Sequence, residues 1–258
     1  MESWRQAQGF TLIELVMVMV LLGIMATFTS QFIGIGTQIY GDASHREQLM
    51  SDARFAMERL NRELRDAVPG SVRVEDAGGN LVVQGSCLRF WPIATASSYL
   101  GSAVSSGLSI VAPTTAPKLN DQAVVYPLAD SGTLDQGCLQ GSCTAKVTAV
   151  ANAVNGVQAL TLSNGFAKDS PARRIYFADQ QVRYCVAGGL LTRASVAIGA
   201  NFSGNTPALM AEHIQPAAYY FYRDDTAFSL SEVGLRLAFE RGDEVVRFNH
   251  KLEVLNAP

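Results

Sequence analysis

A long apolar run near the start of the chain dominates its hydrophobic pattern. Residues 10–28 read FTLIELVMVMVLLGIMATF, and Glu14 is the one charged residue among them. A helix needs about 20 predominantly apolar residues to cross the hydrocarbon core of a bilayer. The pattern therefore predicts a transmembrane helix over residues 10–30, preceded by a short polar segment of residues 1–9.

A second helical pattern follows over residues 31–68, where no proline occurs. Its apolar residues recur every three or four positions, which places them on one face of a helix. They are Leu49, Ala53, Ala56, Leu60, Leu64 and Ala67. Opposite charges four residues apart support the other face: Arg54/Glu58, Glu58/Arg62, Arg59/Glu63 and Arg62/Asp66. We predict an amphipathic helical stem that ends before Pro69-Gly70, with its stripe covered by the following domain.

Gly34 and Gly36 lie between the apolar and amphipathic parts of the predicted helix. Each glycine costs a helix roughly 1 kcal/mol relative to alanine. Two interpretations remain open at this point. The segment bends or melts when the protein leaves the membrane, or the glycines let another helix pack closely.

Residues 69–258 change to short β-prone runs separated by Gly, Ser, Asn, Asp and Pro. Gly188-Gly189 predicts a tight hairpin turn, and a second turn is expected near Arg241-Gly242-Asp243. Thr95–Pro117 is rich in small polar residues, and we expect a surface loop there. The candidate strands are Asn80–Gln84, Cys87–Pro92, Ala123–Leu128, Lys146–Val150, Val157–Ser163, Arg174–Phe177, Gln181–Val186, Leu190–Ser195, Ala218–Tyr222, Gly234–Glu240 and Glu244–Leu255. The fold class is α+β, with the long N-terminal helix packed on an antiparallel β-sheet that has additional strands.

The charge balance and the cysteine content bear on the binding partners and the cellular compartment of this domain. The chain has 20 Lys+Arg against 23 Asp+Glu, so no basic excess indicates nucleic-acid binding. The cysteines are Cys87, Cys138, Cys143 and Cys185, an even number that favours two disulfides in an oxidising compartment. The short, turn-like segment between Cys138 and Cys143 favours that pair, which leaves Cys87–Cys185. A zinc site is the weaker alternative, since paired CxxC spacing is absent.

The junction between the polar start and the apolar run carries the most specific motif. It reads Gln8-Gly9-Phe10-Thr11-Leu12-Ile13-Glu14, and an ordinary secretory signal would instead have a positive start and a cleavage site after its apolar core. These residues closely resemble the cleavage and methylation motif of type IV pilins and type II secretion pseudopilins. The resemblance implies a pilin-like fold, cleavage between Gly9 and Phe10 by the prepilin peptidase, and N-methylation of Phe10.

The resemblance also assigns a role to Glu14. A carboxylate inside a membrane costs about 2.5–3.5 kcal/mol on insertion scales, so it usually has a partner. Cleavage would create a positive amine on Phe10, and in pilins the corresponding glutamate is thought to pair with that amine of a neighbouring subunit. The implied partners are other major and minor pilins, the prepilin peptidase and an inner-membrane assembly platform. The implied location is the inner membrane, crossed once, with the C-terminal domain in the periplasm and later on the pilus.

Within that superfamily the stem sequence and the Tyr-Cys hairpin are similar to the larger minor prepilins, most closely those of MSHA-type pilus biogenesis. This similarity implies a minor subunit that primes assembly or occupies the pilus tip. The alternatives are a minor pseudopilin of a type II secretion system and a pilus-borne adhesin. The sequence leaves two questions open: whether the chain belongs to a pilus or to a secretion system, and whether it initiates assembly or acts as an adhesin.

The sequence has few residues that could support catalysis or metal binding. We expect that the protein is not an enzyme and that it binds neither a cofactor nor a metal ion. His45, His213 and His250 lack a nucleophile at a recognisable motif spacing, and no phosphate-binding or dinucleotide motif occurs. Asp224-Asp225 is better interpreted as a solvated turn than as a calcium loop. The aromatic cluster Tyr219–Tyr222 suggests stacking on sugars or nucleic acid, but strand alternation places half of it in the core, and no basic patch accompanies it.

Overall fold

The computed structural model describes residues 10–127, 134, 138, 141–223, 232–242 and 244–253. The chain divides into two compact units, Met1–Gln48 and Leu49–Pro258. In the described part of the chain one α-helix, α1, runs over Leu12–Arg65. The strands are β1 Arg73–Glu75, β2 Gln84–Gly85, β3 Cys87–Phe90, β4 Thr95–Leu100, β5 Gly107–Val111, β6 Gln122–Val124, β7 Thr144–Val150, β8 Val157–Leu162, β9 Arg174–Ala178, β10 Gln180–Ala187, β11 Leu190–Ala197, β12 Ala208–Ala211, β13 Phe221–Tyr222, β14 Glu232–Arg241 and β15 Glu244–Glu253.

A five-stranded antiparallel sheet in the order β1-β3-β10-β11-β12 packs against the C-terminal part of α1. Its core face carries Leu88, Phe90, Val182 and Tyr184, which alternate along β3 and β10 as the strand period of two requires. The helix contributes the predicted stripe, whose members are each at most 1% exposed: Leu49, Ala53, Ala56, Leu60, Leu64 and Ala67. The apolar stripe is therefore confirmed.

A second antiparallel sheet, in the order β15-β14-β13-β2, shares this core. Val233, Leu235, Leu237 and Phe239 alternate along β14 and face inward. The β14–β15 hairpin turns at Gly242, whose φ is 61°, as the sequence predicts; Asp243 lies outside the described residues. The Gly-Gly turn between β10 and β11 is also confirmed, with φ values of 58° and 78°.

The largest difference from the sequence prediction is a closed barrel between β3 and β10. Its strand order is β4-β5-β8-β7-β6-β9, and it encloses a core of its own. The prediction of a surface loop over Thr95–Pro117 is wrong, because β4 and β5 lie there. Tyr99, Leu108 and Ile110 point into the barrel, whereas the small polar residues between them face outward. The hydrophobic signal of these strands is therefore carried by very few residues.

The expected α+β fold class is confirmed, with one long N-terminal helix and antiparallel sheets. The helix ends at Arg65, slightly before the predicted end, and Ala67 already forms a bridge with Pro92. Strands β1 and β12 were not among the candidate strands. Of the four predicted charge pairs on α1, the structure has Arg59–Glu63; the other three, all on described residues, do not form bridges.

Candidate functional site

The start of α1 holds the residues that the sequence singles out. Thr11 caps the helix: the Glu14 amide N–H lies 3.1 Å from the Thr11 carbonyl oxygen and 3.4 Å from its hydroxyl oxygen. Threonine and glutamate at this spacing form a capping-box sequence, and a carboxylate in the first turn is favoured by the helix dipole. Phe10 directly precedes the cap and is 79% exposed, whereas Gly9 lies outside the described residues.

The first unit, where it is described, consists mainly of the part of α1 up to Gln48, and its apolar side chains are exposed. Its large apolar side chains, from Phe10 to Tyr40, are between 46% and 82% exposed. By length and composition this helix can cross a membrane. Because burial is the main source of stability for apolar surface, these side chains require lipid or other apolar helices around them.

The glycines of this segment have open space where a side chain would stand. A Cβ atom added at Gly23, Gly34, Gly36 or Gly41 would have no atom within 4 Å. The helix continues without a break through Gly34 and Gly36. Both interpretations, bending and close helix packing, therefore remain predictions.

The four cysteines form two disulfides, Cys87–Cys185 and Cys138–Cys143. Cys87 and Cys185 are direct cross-strand partners on β3 and β10, at the point where the chain is about to enter the barrel and has just left it. The pair closes a loop with a sequence separation of 98 residues. This bond therefore fixes the register of the two strands that flank the barrel.

A buried charged cluster, which the sequence analysis did not find, lies on the other face of the five-stranded sheet. The Glu75 side chain is 2% exposed and has Arg73 Nε at 2.6 Å, Arg89 Nε at 3.1 Å and Arg183 Nε at 2.9 Å from its carboxylate oxygens. The Nε–H of Arg73 donates a hydrogen bond to Glu75, whereas that of Arg183 is not aligned for one. Strand alternation brings these residues together from β1, β3 and β10, and we name them the Glu75 cluster.

A second charged group joins α1 to the sheet. Glu63 accepts hydrogen bonds from Arg59, at 3.0 Å, and from Arg193 of β11, at 2.9 Å. Tyr184 lies next to this group in the core. Burial, followed by the negative charge of Glu63, raises the pKa of the Tyr184 hydroxyl well above its ordinary value. The phenol therefore stays neutral and has a structural role.

Among the described residues, the other candidates for catalysis or metal binding do not come together into one site. Within the described ranges no group of three or more His, Cys, Asp or Glu side chains is placed to hold a metal ion. A cavity of about 270 Å³ beside the barrel is lined by Asp121 and Asp179. Burial, assisted by Asp179, raises the pKa of Asp121, which accepts a hydrogen bond from the Lys118 amide at 2.7 Å. Asp224-Asp225 lies outside the described residues.

Comparison with known proteins gives one result for the N-terminus. Residues 4–30 match the family model described as the prokaryotic N-terminal methylation motif. This range includes the predicted cleavage junction, the capping residues and most of the exposed apolar helix. No curated protein and no solved structure matches the chain.

The motif supports a type IV pilin- or pseudopilin-like protein. A motif of this type implies processing by the prepilin peptidase and assembly with other pilins in a membrane machine. Together with the apolar helix, it indicates membrane anchoring through the N-terminus. Proteins with such motifs are structural subunits rather than enzymes.

Proposed function

We propose that this chain is a minor pilin-like subunit of an MSHA-type type IV pilus, which takes part in pilus biogenesis by priming assembly or by occupying the tip. The observation that carries the proposal is the methylation motif of residues 4–30, continuous with the exposed apolar part of α1. A helix of this kind needs both a membrane before assembly and other apolar helices after it.

Glu14 is proposed to guide the assembly step. Cleavage after Gly9 makes Phe10 the first residue and gives it a positive amine. In the apolar interior of a membrane, a carboxylate and an amine attract each other far more strongly than in water, because the dielectric constant is low. The Glu14 carboxylate of one subunit would therefore bind the Phe10 amine of an incoming subunit.

The unit Leu49–Pro258 supports a minor rather than a repeating position. It contains a complete six-stranded barrel in addition to the two sheets that cover α1. A subunit repeated along a shaft has to accommodate such a module at every step, whereas a tip or priming subunit occurs once. The two disulfides are in keeping with a periplasmic domain, because disulfides persist in oxidising compartments.

The test is a clean deletion scored in parallel for surface pili and for secreted exoproteins, followed by complementation. We expect pili to be lost, exoprotein secretion to remain normal, and the intact gene to restore pili. A Glu14→Val variant should reach the membrane and lose its leader, seen as a small gel shift, yet fail to restore pili. Glu47→Gln is the matched control, since Glu47 is an exposed glutamate farther along α1.

Three outcomes would contradict the proposal. Lost secretion with normal pili would assign the chain to the type II secretion pseudopilins. Normal pili with Glu14→Val would show that this carboxylate does not guide assembly. If the deletion strain keeps both pili and secretion, a biogenesis role is refuted and the adhesin alternative is favoured.

A further inference from the structure

The outer strand of the four-stranded sheet, β15, has a neighbouring strand on one side only. Its 10 residues all pair with β14, and no other strand among the described residues pairs with it. The other edge strands of the two open sheets are short, since β1 has 3 residues, β2 has 2 and β12 has 4. Natural proteins normally shorten or cover their sheet edges, because a long open edge is a template for pairing with another chain. The β15 edge is therefore a candidate interaction surface.

The backbone hydrogen bonds of β14 show which groups of β15 face the open side. Alternate residues of β14 direct their backbone groups away from β15, to residues 213–220: Arg236, Ala238 and Glu240. In an antiparallel pair, two opposed residues either exchange hydrogen bonds with each other or both direct their groups outward. The opposed residues on β15 are therefore directed to the open edge: Val245, Arg247 and Asn249. The described residues provide no backbone partner for the N–H and C=O groups of these three residues.

The side chains beside this edge limit what can pair with it. On the core side of the sheet, Val246 and Phe248 are only half-buried, although their partners on β14 are fully buried. Phe248 is held in place by Phe239, which meets it edge to face with 5.8 Å between the ring centroids. On the outward side Arg247 is exposed, and it forms no ion pair with a described carboxylate. The edge thus presents partly uncovered apolar groups on one face and a cation on the other.

The outward side as a whole has no excess of either charge. Strand alternation and register place three cations and three carboxylates on it: Arg236, Arg247, Lys251, Glu232, Glu240 and Glu253. A balanced surface of this kind does not favour a polyanion or a polycation. It is compatible with a polypeptide strand whose own charges alternate with those of β15.

We propose that the β15 edge receives an extended strand from another pilin-type subunit, so that the four-stranded sheet continues across the contact between the two subunits. A row of backbone N–H and C=O groups at strand spacing is complemented by a second extended backbone, which supplies the same groups at the same spacing. Apolar residues of the incoming strand would cover Val246 and Phe248. An acidic residue of that strand would lie opposite Arg247.

A pilin-type subunit is the source of this strand because of what shares the core of the sheet. The four-stranded sheet packs with the buried stripe of α1, and the N-terminal motif implies assembly with other pilins. A strand that joined β15 would extend the sheet that covers this stripe. The inference rests on the proposed function only in requiring assembly with other pilins; it does not depend on the choice between pilus and secretion system.

A second copy of this chain fits the edge less well. A closed dimer through β15 would pair the two strands antiparallel, about a twofold axis perpendicular to the sheet. Because α1 packs along the sheet, this axis would make the Leu49–Arg65 parts of the two helices run in opposite directions. Two chains anchored through their N-termini in one membrane need the same direction.

The test is photocrosslinking of the full-length chain in the membranes of the cells that produce it. p-Benzoylphenylalanine replaces Val245, which lies on the open edge, and the adducts formed on illumination are identified by mass spectrometry. We expect an adduct with another chain that carries an N-terminal methylation motif. Asn249→Pro should lower its yield about three- to tenfold, as for one lost hydrogen bond, because it removes an edge N–H that β14 does not use. Arg247→Glu should also lower the yield, since it places a negative charge opposite an acidic residue.

Asn249→Ala is the matched control, because it removes the side chain and keeps the N–H group; the adduct should form in unchanged yield. p-Benzoylphenylalanine in place of Arg174, an exposed residue on β9 of the barrel, should give no such adduct. Thermal unfolding should show that all variants remain folded.

Several results would overturn the inference: no adduct, adducts only with a second copy or with proteins that lack the motif, or equal yields for Asn249→Pro and Asn249→Ala. The crosslink and the deletion phenotype are separate measurements. Pili lost on deletion, without an adduct, would refute the edge pairing alone. An adduct in a strain whose deletion leaves pili and secretion normal would support the pairing and refute the biogenesis role.

Discussion

Replacement of Glu75 by glutamine is the most informative perturbation of the unit Leu49–Pro258. The change keeps the size of the side chain and removes its charge, while Arg73, Arg89 and Arg183 remain around it. Their side chains are 10%, 12% and 15% exposed, so water can do little to replace the lost carboxylate. The variant therefore tests whether the Glu75 cluster holds β1, β3 and β10 together.

The expected loss can be bounded in two ways. Hydrogen bonds to charged groups contribute about 1.5–3 kcal/mol each, but contacts that share one carboxylate are not additive. Removal of one partner from a buried ion pair costs about 3–5 kcal/mol, because the remaining charge is left uncompensated. We therefore expect Glu75→Gln to lower the free energy of unfolding by about 3–5 kcal/mol. A domain is stable by only about 5–15 kcal/mol, so this is a large effect.

Urea unfolding of the oxidised, detergent-solubilised chain, followed by far-UV circular dichroism, provides the measurement. Glu232→Gln is the matched control, because Glu232 pairs with Lys251 at 3.8 Å and their side chains are 37% and 55% exposed. A surface pair of this kind is worth about 0–1 kcal/mol. A Glu75→Gln variant within 1 kcal/mol of the control would refute the reasoning. Adding Arg183→Met to Glu75→Gln should recover part of the loss, since it removes one uncompensated charge.

Three further predictions concern the barrel and its base. Gly165→Ala should destabilise the protein in thermal unfolding, because the added methyl group would overlap the Val104 carbonyl oxygen. Replacing both Cys87 and Cys185 by alanine should cost about 4–5 kcal/mol in urea unfolding, the entropy of a loop of about 100 residues. Asp121→Asn should raise stability at pH 7. Burial raises the pKa of this carboxyl in the folded state. The stability of the unchanged protein therefore falls as the pH rises from the pKa of the unfolded state to that of the folded state, whereas the variant has no such loss.

The first two of these predictions each have a control. Gly107→Ala should be nearly neutral, since a Cβ at this ordinary strand position meets nothing within 4 Å. Removal of Cys138–Cys143, with a sequence separation of 5, should cost only about 2 kcal/mol by the same loop argument. Equal effects in either pair would contradict the steric or the entropic explanation. An unchanged pH profile for Asp121→Asn would show that this carboxyl is not the group that titrates.

The parts of the fold that follow a simple period could be predicted from sequence. Leu49 to Leu64 repeat every three or four residues because one helix face is covered, and the two glycine-containing turns follow from the φ values that their positions require. The N-terminal motif was equally visible, because its residues are contiguous.

The remaining features depend on contacts between distant residues. In β4, which reads TASSYL, Tyr99 alone is fully buried, so the alternation that identifies a strand is almost absent. The Glu75 cluster draws on three strands, β1, β3 and β10. Strand register decides which of these side chains meet, and the paired residues, such as Arg89 of β3 and Arg183 of β10, are far apart in sequence.

The place where the barrel joins the sheet has a consequence for how such a protein diversifies. Phe90 and Val182 are paired neighbours on β3 and β10, so everything between them leaves and returns to the sheet at a single point, one strand spacing apart. In terms of connectivity the whole barrel is the loop of a hairpin formed by β3 and β10. The Cys87–Cys185 disulfide links these two strands close to that loop. An exchange of this cassette for another would keep the pairing of β3 with β10, but it would also remove the partners of Val68 and Trp91, which share a buried cluster with β6 and β9. A new module could therefore be accepted at this point of the sheet provided that it covers these two side chains.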